Sequence, residues 1–298
     1  MLSVLATRLL SLVIASGMLH AGDDPVLVNA AWLRQHQDDP KVVVVTTGMM
    51  PDEYTGSHIR GARYLAGDDL MTHDATIGPE LPSADSFRAA LERLGITDGT
   101  RLVVYGHPMD VGRLFYTLEW AGIPVSVLDG GLKGWVAAGG AVESGMHAPA
   151  PARRGSLHLT LHPEVDATAD WLSAHLPDVA AGRLALLDTR SQGEYVGGAL
   201  HRGANTIGHI PGARQLTFQD LVSKDNDNQL LPRAELAQIF AERGAVAGKP
   251  VVTYCAVGLR GSFSYMVARY LGYDAKLYDG SYMDWANRKL PLVPGDKP

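Results

Sequence analysis

A single cysteine, Cys255, is present among 298 residues. Disulfide frameworks need pairs, so no internal disulfide staples this fold, and the lone thiol is either an inert buried residue or one kept for chemistry. Runs of Lys or Arg are also missing, and the formal net charge is −6. That balance excludes binding through nucleic-acid phosphates, and no nucleic-acid partner is expected. No set of His, Cys and carboxylate residues has metal-ligand spacing, so no metal and no other cofactor is expected. Charge is scarce at 19%, against 46% hydrophobic residues, which describes a globular chain able to bury a large core. Glycine and proline fall between apolar runs, as turns do, and form no disordered tract.

The apolar run 9–19 is too short to span a bilayer. It follows Arg8 and precedes Ala21 and the polar Gly22-Asp-Asp-Pro25, the order of regions in a signal peptide. The expectation is a leader over 1–21, a periplasmic or secreted protein, and no stable membrane association once the leader is removed. The alternative is an uncleaved N-terminal helix on a cytoplasmic protein. Leu19 is larger than the residue preferred three before a cut, which leaves the cleavage position open.

The remainder is one unit written twice. Arg101-Leu-Val-Val-Tyr105 aligns with Pro250-Val-Val-Thr-Tyr254 at an offset of 149. Val127-Leu-Asp-Gly-Gly131 aligns with Leu277-Tyr-Asp-Gly-Ser281, and Trp135 with Trp285, at 150. Upstream, His58-Ile-Arg-Gly-Ala62 matches His209-Ile-Pro-Gly-Ala213, and Glu53-Tyr54 matches Glu194-Tyr195. Two domains are expected, 22–145 and 159–298, with 146–158 as linker. Short apolar runs at 42–45, 102–105, 184–187 and 251–254 suit buried parallel strands. Ser83 caps a helix through Phe87, Leu91 and Leu94, and Pro232 starts another through Leu236, Ile239 and Phe240. This alternation predicts α/β domains, each a mostly parallel sheet flanked by helices, with ligands gathering at the strand ends.

The repeat also works as an internal control: features in both copies serve the fold, and features in one copy are candidates for the site. Only the second copy has Cys255, followed by Ala256, Val257, Gly258, Leu259, Arg260 and Gly261, between a strand and a helix through Phe263, Met266, Val267 and Tyr270. Successive N–H groups in this loop can form an anion-holding nest. The helix N-terminus and Arg260 add positive charge, and all three favour thiolate over thiol. Gly258 supplies the tight curve. In the first copy the loop reads Gly106-His-Pro-Met-Asp110, one residue shorter, without a nucleophile; Pro108 removes a donor and Asp110 repels an anion. That domain is expected to be inactive, with His107 structural. His209, Asp279 and Trp285 have counterparts in the inactive copy and are expected to serve the fold.

These motifs resemble a tandem-domain rhodanese of the thiosulfate and 3-mercaptopyruvate sulfurtransferase family. The carrying residues are Leu187-Asp-Thr-Arg190, Glu194-Tyr195, Gly208-His-Ile-Pro-Gly-Ala213, the Cys255–Arg260 loop and Tyr278-Asp-Gly-Ser-Tyr-Met-Asp-Trp285, with Leu128-Asp-Gly-Gly-Leu-Lys-Gly-Trp135 as the degenerate counterpart. The resemblance implies a persulfide on Cys255, loaded by a small anionic sulfur donor and unloaded by a thiol, cyanide or a protein acceptor. It also implies that Arg190 contacts the donor, against an alternative in which Arg190 pairs with Glu194; Asp188 is expected to orient. Thr47 and Met49 stand at the matching places in the first copy. The donor is open: the loop Cys255-Ala-Val-Gly-Leu259 matches neither the C-G-S-G-V of the mercaptopyruvate group nor the C-R-K-G-V of the thiosulfate group, and Arg260 tilts the reading to thiosulfate.

Two other readings stand beside this one. Cysteine phosphatases use C-x5-R, whereas four residues separate Cys255 from Arg260, a tighter cradle that suits one sulfur atom better than a phosphate. A non-catalytic module that carries a persulfide or binds a partner is the third.

Overall fold

The computed structural model describes residues 25–74, 78–146, 155–201 and 203–298. The expected leader over 1–21 and most of the expected linker lie outside them. Among the described residues, no helix is long and apolar enough to cross a membrane.

Each copy is built on one parallel sheet. In the first, β1 (Leu27–Val28), β2 (Val42–Gly48), β3 (Arg63–Ala66), β4 (Arg101–Tyr105) and β5 (Val125–Leu128) lie in the order β1-β5-β4-β2-β3. In the second, β6 (Ala185–Asp188), β7 (Arg214–Gln215), β8 (Val251–Tyr254) and β9 (Ala275–Leu277) lie in the order β7-β6-β8-β9. The place of β1 is taken there by a single parallel bridge between Asp166 and Leu277. Helices form where expected: Ser83 accepts from the Ser86 N–H at the start of Ala84–Arg93, and Pro232 precedes Arg233–Glu242.

Strand register corrects one alignment. Tyr254 pairs with Asp188 and Tyr105 pairs with Thr46, so Thr46 and Gly48, rather than Thr47 and Met49, occupy the places of Asp188 and Arg190. The loop that follows β2 is one residue longer than its partner, which the sequence match at Tyr54 and Tyr195 concealed. The first copy still lacks both side chains.

Both faces of each sheet are buried, as continuous apolar strands require. Val43, Val45, Leu102 and Val104 of the first sheet share one core with Leu187, Val251 and Leu277 of the second, while Val44 and Val103 face a separate core. The two domains therefore meet through a common apolar interior. At its centre lie helix α1 (Pro108–Trp120), which follows β4, and helix α2 (Leu259–Leu271), which follows β8. Gly112 of α1 lets the backbones approach: a Cβ there would lie 2.4 Å from the Phe263 N of α2. At the rim, Glu119 of α1 accepts from the Tyr265 hydroxyl at 2.6 Å and pairs with Arg269.

Candidate active site

Cys255 leaves the C-terminal end of β8 and is 1% exposed. Its own N–H donates to the Ser281 Oγ at 3.1 Å. The carbonyls of Cys255 and Ala256 accept from the Tyr282 and Met283 N–H groups in the first turn of helix α3 (Ser281–Asn287). The carbonyl side of the loop is thus spent on α3. The N–H groups of residues 256–261 have no acceptor among the described residues; the next one, on Ser262, closes the first turn of α2 onto the Gly258 carbonyl. Gly258 carries the reversal with φ 84°. A buried thiol thus sits beside a run of free donors at a helix N-terminus, an arrangement suited to holding negative charge.

Ser281 gains meaning from the repeat. Its φ is 54°, in the left-handed region, and its counterpart Gly131 has φ 53°. The φ angle is the same at this position in both copies, although Gly130 before it is left-handed and Gly280 is not, and the second copy places a serine where glycine is easier. The hydroxyl offsets that strain by accepting from Cys255 and donating to the Tyr278 carbonyl at 2.8 Å.

Arg260 reaches across to Glu194, donating to both carboxylate oxygens at 2.8 and 3.0 Å. Glu194 is fixed by the capping box that Ser191 forms at the helix Gln192–Val196. Burial would raise the Glu194 carboxyl, but hydrogen bonds from His201, Arg260 and Ser191 hold it well below its ordinary range. Burial works against the Arg260 charge too, and Glu194, Cys255 and Asp188 outweigh it and raise its pKa. Arg260 is thereby a permanent cation within the field of the sulfur.

Arg190 is placed differently. It is 1% exposed and donates to both oxygens of Asp188 and to the Gly208 carbonyl. Its guanidinium lies 4.1 Å from the Tyr282 ring centroid. The Tyr254 hydroxyl donates to the same Asp188 at 2.8 Å and accepts from the Ile210 N–H. The expected alternative partner, Glu194, is taken by Arg260; Asp188 is closer along the chain and shares its burial. Arg190 ties β6 to the 206–210 segment through its Nε and Nη2.

His209 stacks on Tyr195 with ring centroids 3.8 Å apart, and its Nδ1 lies 3.0 Å from the Tyr195 carbonyl. His58 does the same with Tyr54, at 3.8 and 2.7 Å. Trp135 and Trp285 likewise each donate to a carbonyl six residues on. These duplicated contacts belong to the fold.

Sequence reasoning passed over a buried acidic group at the domain interface. Asp279 accepts from Arg113 of α1, Asp166 accepts from the Tyr116 hydroxyl at 3.1 Å, and Glu80 lies in the same field. Burial and the neighbouring Asp279 push Glu80 up to about 8 and Asp166 up to about 6. Burial also pushes Asp279 up, and the Arg113 charge pulls against it. No motif announces this cluster, because its members come from both halves of the chain.

The rhodanese-like domain model matches residues 29–138 and again 168–288. The chain belongs to the rhodanese family. Among curated rhodanese relatives, it is 30% identical to the sulfur carrier protein TtuD of Thermus thermophilus, over 91% of this chain and 98% of that one. It is 30% identical to a thiosulfate sulfurtransferase of Pseudomonas aeruginosa, over 89% and 95%. A 3-mercaptopyruvate sulfurtransferase of Escherichia coli is 28% identical over 90% and 97%. Among solved structures, the E. coli 3-mercaptopyruvate sulfurtransferase SseA aligns with a TM-score of 0.73 and 26% identity, over 87% of this chain and 99% of that one. An anaerobic ergothioneine biosynthesis enzyme from Chlorobium limicola aligns with a TM-score of 0.79 and 25% identity, over 91% and 70%.

Proposed function

We propose that this rhodanese-type sulfurtransferase moves a sulfane sulfur from thiosulfate or 3-mercaptopyruvate to a thiophilic acceptor through a persulfide on Cys255. The observation that carries the reading is the run of free N–H donors, residues 256–261, beside the one thiol of the chain. In the first step the Cys255 thiolate attacks the outer sulfur of the donor. A sulfur–sulfur bond forms on Cys255 as the donor's bond to that sulfur breaks, and sulfite leaves with the electron pair. With mercaptopyruvate the leaving group is the pyruvate carbanion, which takes a proton. The terminal sulfur of the persulfide then carries negative charge, and the loop N–H groups and Arg260 stabilise it. A thiol, cyanide or protein acceptor attacks that terminal sulfur and restores the Cys255 thiolate.

Arg260, the basic residue of the loop, tilts the reading to thiosulfate, with Glu194 sharing its charge. The tight spacing of four residues between Cys255 and Arg260 argues against a phosphate. A second reading, a carrier that hands its sulfur to a protein without rapid turnover, is favoured by the similarity to a protein named as a sulfur carrier.

Intact mass spectrometry after thiosulfate treatment tests the reading. The wild type should gain the mass of one sulfur atom, Cys255→Ser should gain none, and cyanide should then release thiocyanate. A wild type that takes no sulfur from either donor overturns it; a loaded protein that cyanide does not unload points to the carrier. We also propose that 1–21 is removed on export. Sequencing of the mature N-terminus should begin near Gly22, and an intact Met1 refutes that.

A further inference from the structure

Arg113 lies in the copy that has no nucleophile, yet its side chain ends inside the other copy. It is 0% exposed, and its Nη1 donates to the Asp279 Oδ1. That carboxylate rests against the sulfur loop: a Cβ at Gly258 would lie 2.5 Å from Asp279 Oδ1, 2.9 Å from the Asp279 carbonyl and 3.5 Å from Arg113 Nη1. The Arg113 Nε and Nη2 and the Asp279 Oδ2 have no hydrogen-bond partner among the described residues, so this bond is the charged contact of both groups, beside the Leu81 N–H on the carboxylate and the Tyr116 ring under the guanidinium. The repeat places Phe263 at the position of Arg113, so the second copy has no cation at that place on its helix.

We infer that Arg113 is a positioning residue for the sulfur loop, acting through Asp279 on Gly258 across the domain interface. Gly258 makes the left-handed reversal in the loop that carries the free N–H groups beside the sulfur. With Arg113 present, the buried carboxylate has its counter-charge and stays against Gly258. Without it, the carboxylate keeps only the Leu81 N–H and must move toward water or take a proton, and either outcome changes the position or the charge beneath Gly258. The first domain thereby contributes to the chemistry without touching a substrate. The inference takes the importance of the loop from the sulfurtransferase reading, but the thiol can be read directly.

The test is a double-mutant cycle on the full chain with Arg113→Met, Asp279→Asn and both together. The pH dependence of Cys255 alkylation by iodoacetamide, followed by intact mass, needs no sulfur donor and has no competing thiol. Arg113→Met should raise the midpoint of that curve by about one unit, a tenfold smaller thiolate fraction below it. It should lower kcat with thiosulfate about tenfold while KM changes far less, the sign of a lost transition-state interaction. In the Asp279→Asn background the same change should add almost nothing. An unmoved midpoint in a folded Arg113→Met protein overturns the inference, as does an equal effect in both backgrounds. If circular dichroism shows Arg113→Met unfolded, Arg113→Lys runs through the same cycle under the same criteria. A shifted midpoint in a protein that never accepts sulfur would leave the positioning role standing and remove the sulfurtransferase reading.

Discussion

Gly112→Ala inserts one methyl group between the two helices that join the domains. The added Cβ would meet Phe263 N at 2.4 Å, Phe263 Cα at 2.5 Å and Phe263 Cβ at 2.9 Å. Ordinary carbon contacts lie near ~3.5–4.0 Å, so α1 and α2 must part by more than about 1 Å. The obstacle is mainly backbone, and no rotamer change clears it. Overpacking of this kind costs about 1–3 kcal/mol, and a backbone clash belongs at the upper end. Alanine returns about 1 kcal/mol through its better helix propensity. The net destabilisation is about 2 kcal/mol, which for a chain of this size lowers Tm by roughly 4–8 °C. Differential scanning calorimetry of the full chain measures it. Gly193→Ala is the control, since its Cβ meets only Ala199 Cβ at 3.6 Å within the short helix Gln192–Val196, and it should hold or slightly raise Tm. If Gly112→Ala is as stable as the wild type, the helices are not packed as closely as described, and the common core between the domains is refuted with them.

Three further outcomes follow from the site and its surroundings. Glu80 is half-buried and held near about 8 by burial and by Asp279 and Asp166, against an ordinary value of 4.5. The folded chain therefore keeps a proton that the unfolded chain releases, and stability should fall as pH rises through that window, by about 2 kcal/mol once solvent screening is allowed for. Urea midpoints at the two ends of the window should show that slope, and Glu80→Gln should reduce it, most above a pH of about 6 where Asp166 has already lost its proton; an equal slope in the variant removes Glu80 as the cause. Glu194→Gln keeps the shape of the carboxylate and can still close the capping box, but it removes the charge and one of the two acceptors that hold Arg260. Sulfur loading of Cys255 should slow about tenfold, for a loss of about 1 kcal/mol of stability; loading at the wild-type rate would separate Arg260 from the chemistry. Ser281→Gly relieves a left-handed φ and removes the acceptor for the Cys255 N–H, so stability should stay within about 1 kcal/mol of wild type. Cys255 reactivity should change all the same, and identical alkylation kinetics would show that the serine is incidental.

The parts that could be read from sequence are those where the signal is local or doubled. Strands 251–254 and 42–48 are runs of β-branched residues bounded by turns, and both faces of each are buried. His209 falls to the fold because His58 repeats its stack on tyrosine, a case in which the duplicated sequence reports on a duplicated contact. The rest depends on contacts between residues far apart in the chain. Arg190 and Arg260 stand near the same two carboxylates, and only three-dimensional placement sends one to Asp188 and the other to Glu194. The extra residue after β2 slides the register by one without changing any motif. Arg113 carries no signal at all: a lone arginine among the buried positions of a helix gains meaning only when Asp279 is seen 166 residues away.

That blind spot has a physical origin in the duplication itself. Comparing the two copies asks which residues the active domain has that the inactive one lacks, and it finds Cys255, Arg260, Asp188 and Arg190. It cannot find a residue of the inactive domain that works on the active one. Yet an obligatory common core makes such residues unavoidable. Once α1 and α2 are packed closely enough to exclude side chains at Gly112, any polar group on α1 that faces α2 must be satisfied by the second domain or by nothing. Arg113 is one such group, beside Glu119 and Tyr116, and the acceptor it finds lies under the sulfur loop. A domain that has lost its own nucleophile is therefore retained in the site as the source of its counter-charge. Separating the two domains should cost the thiol its environment as well as its cover.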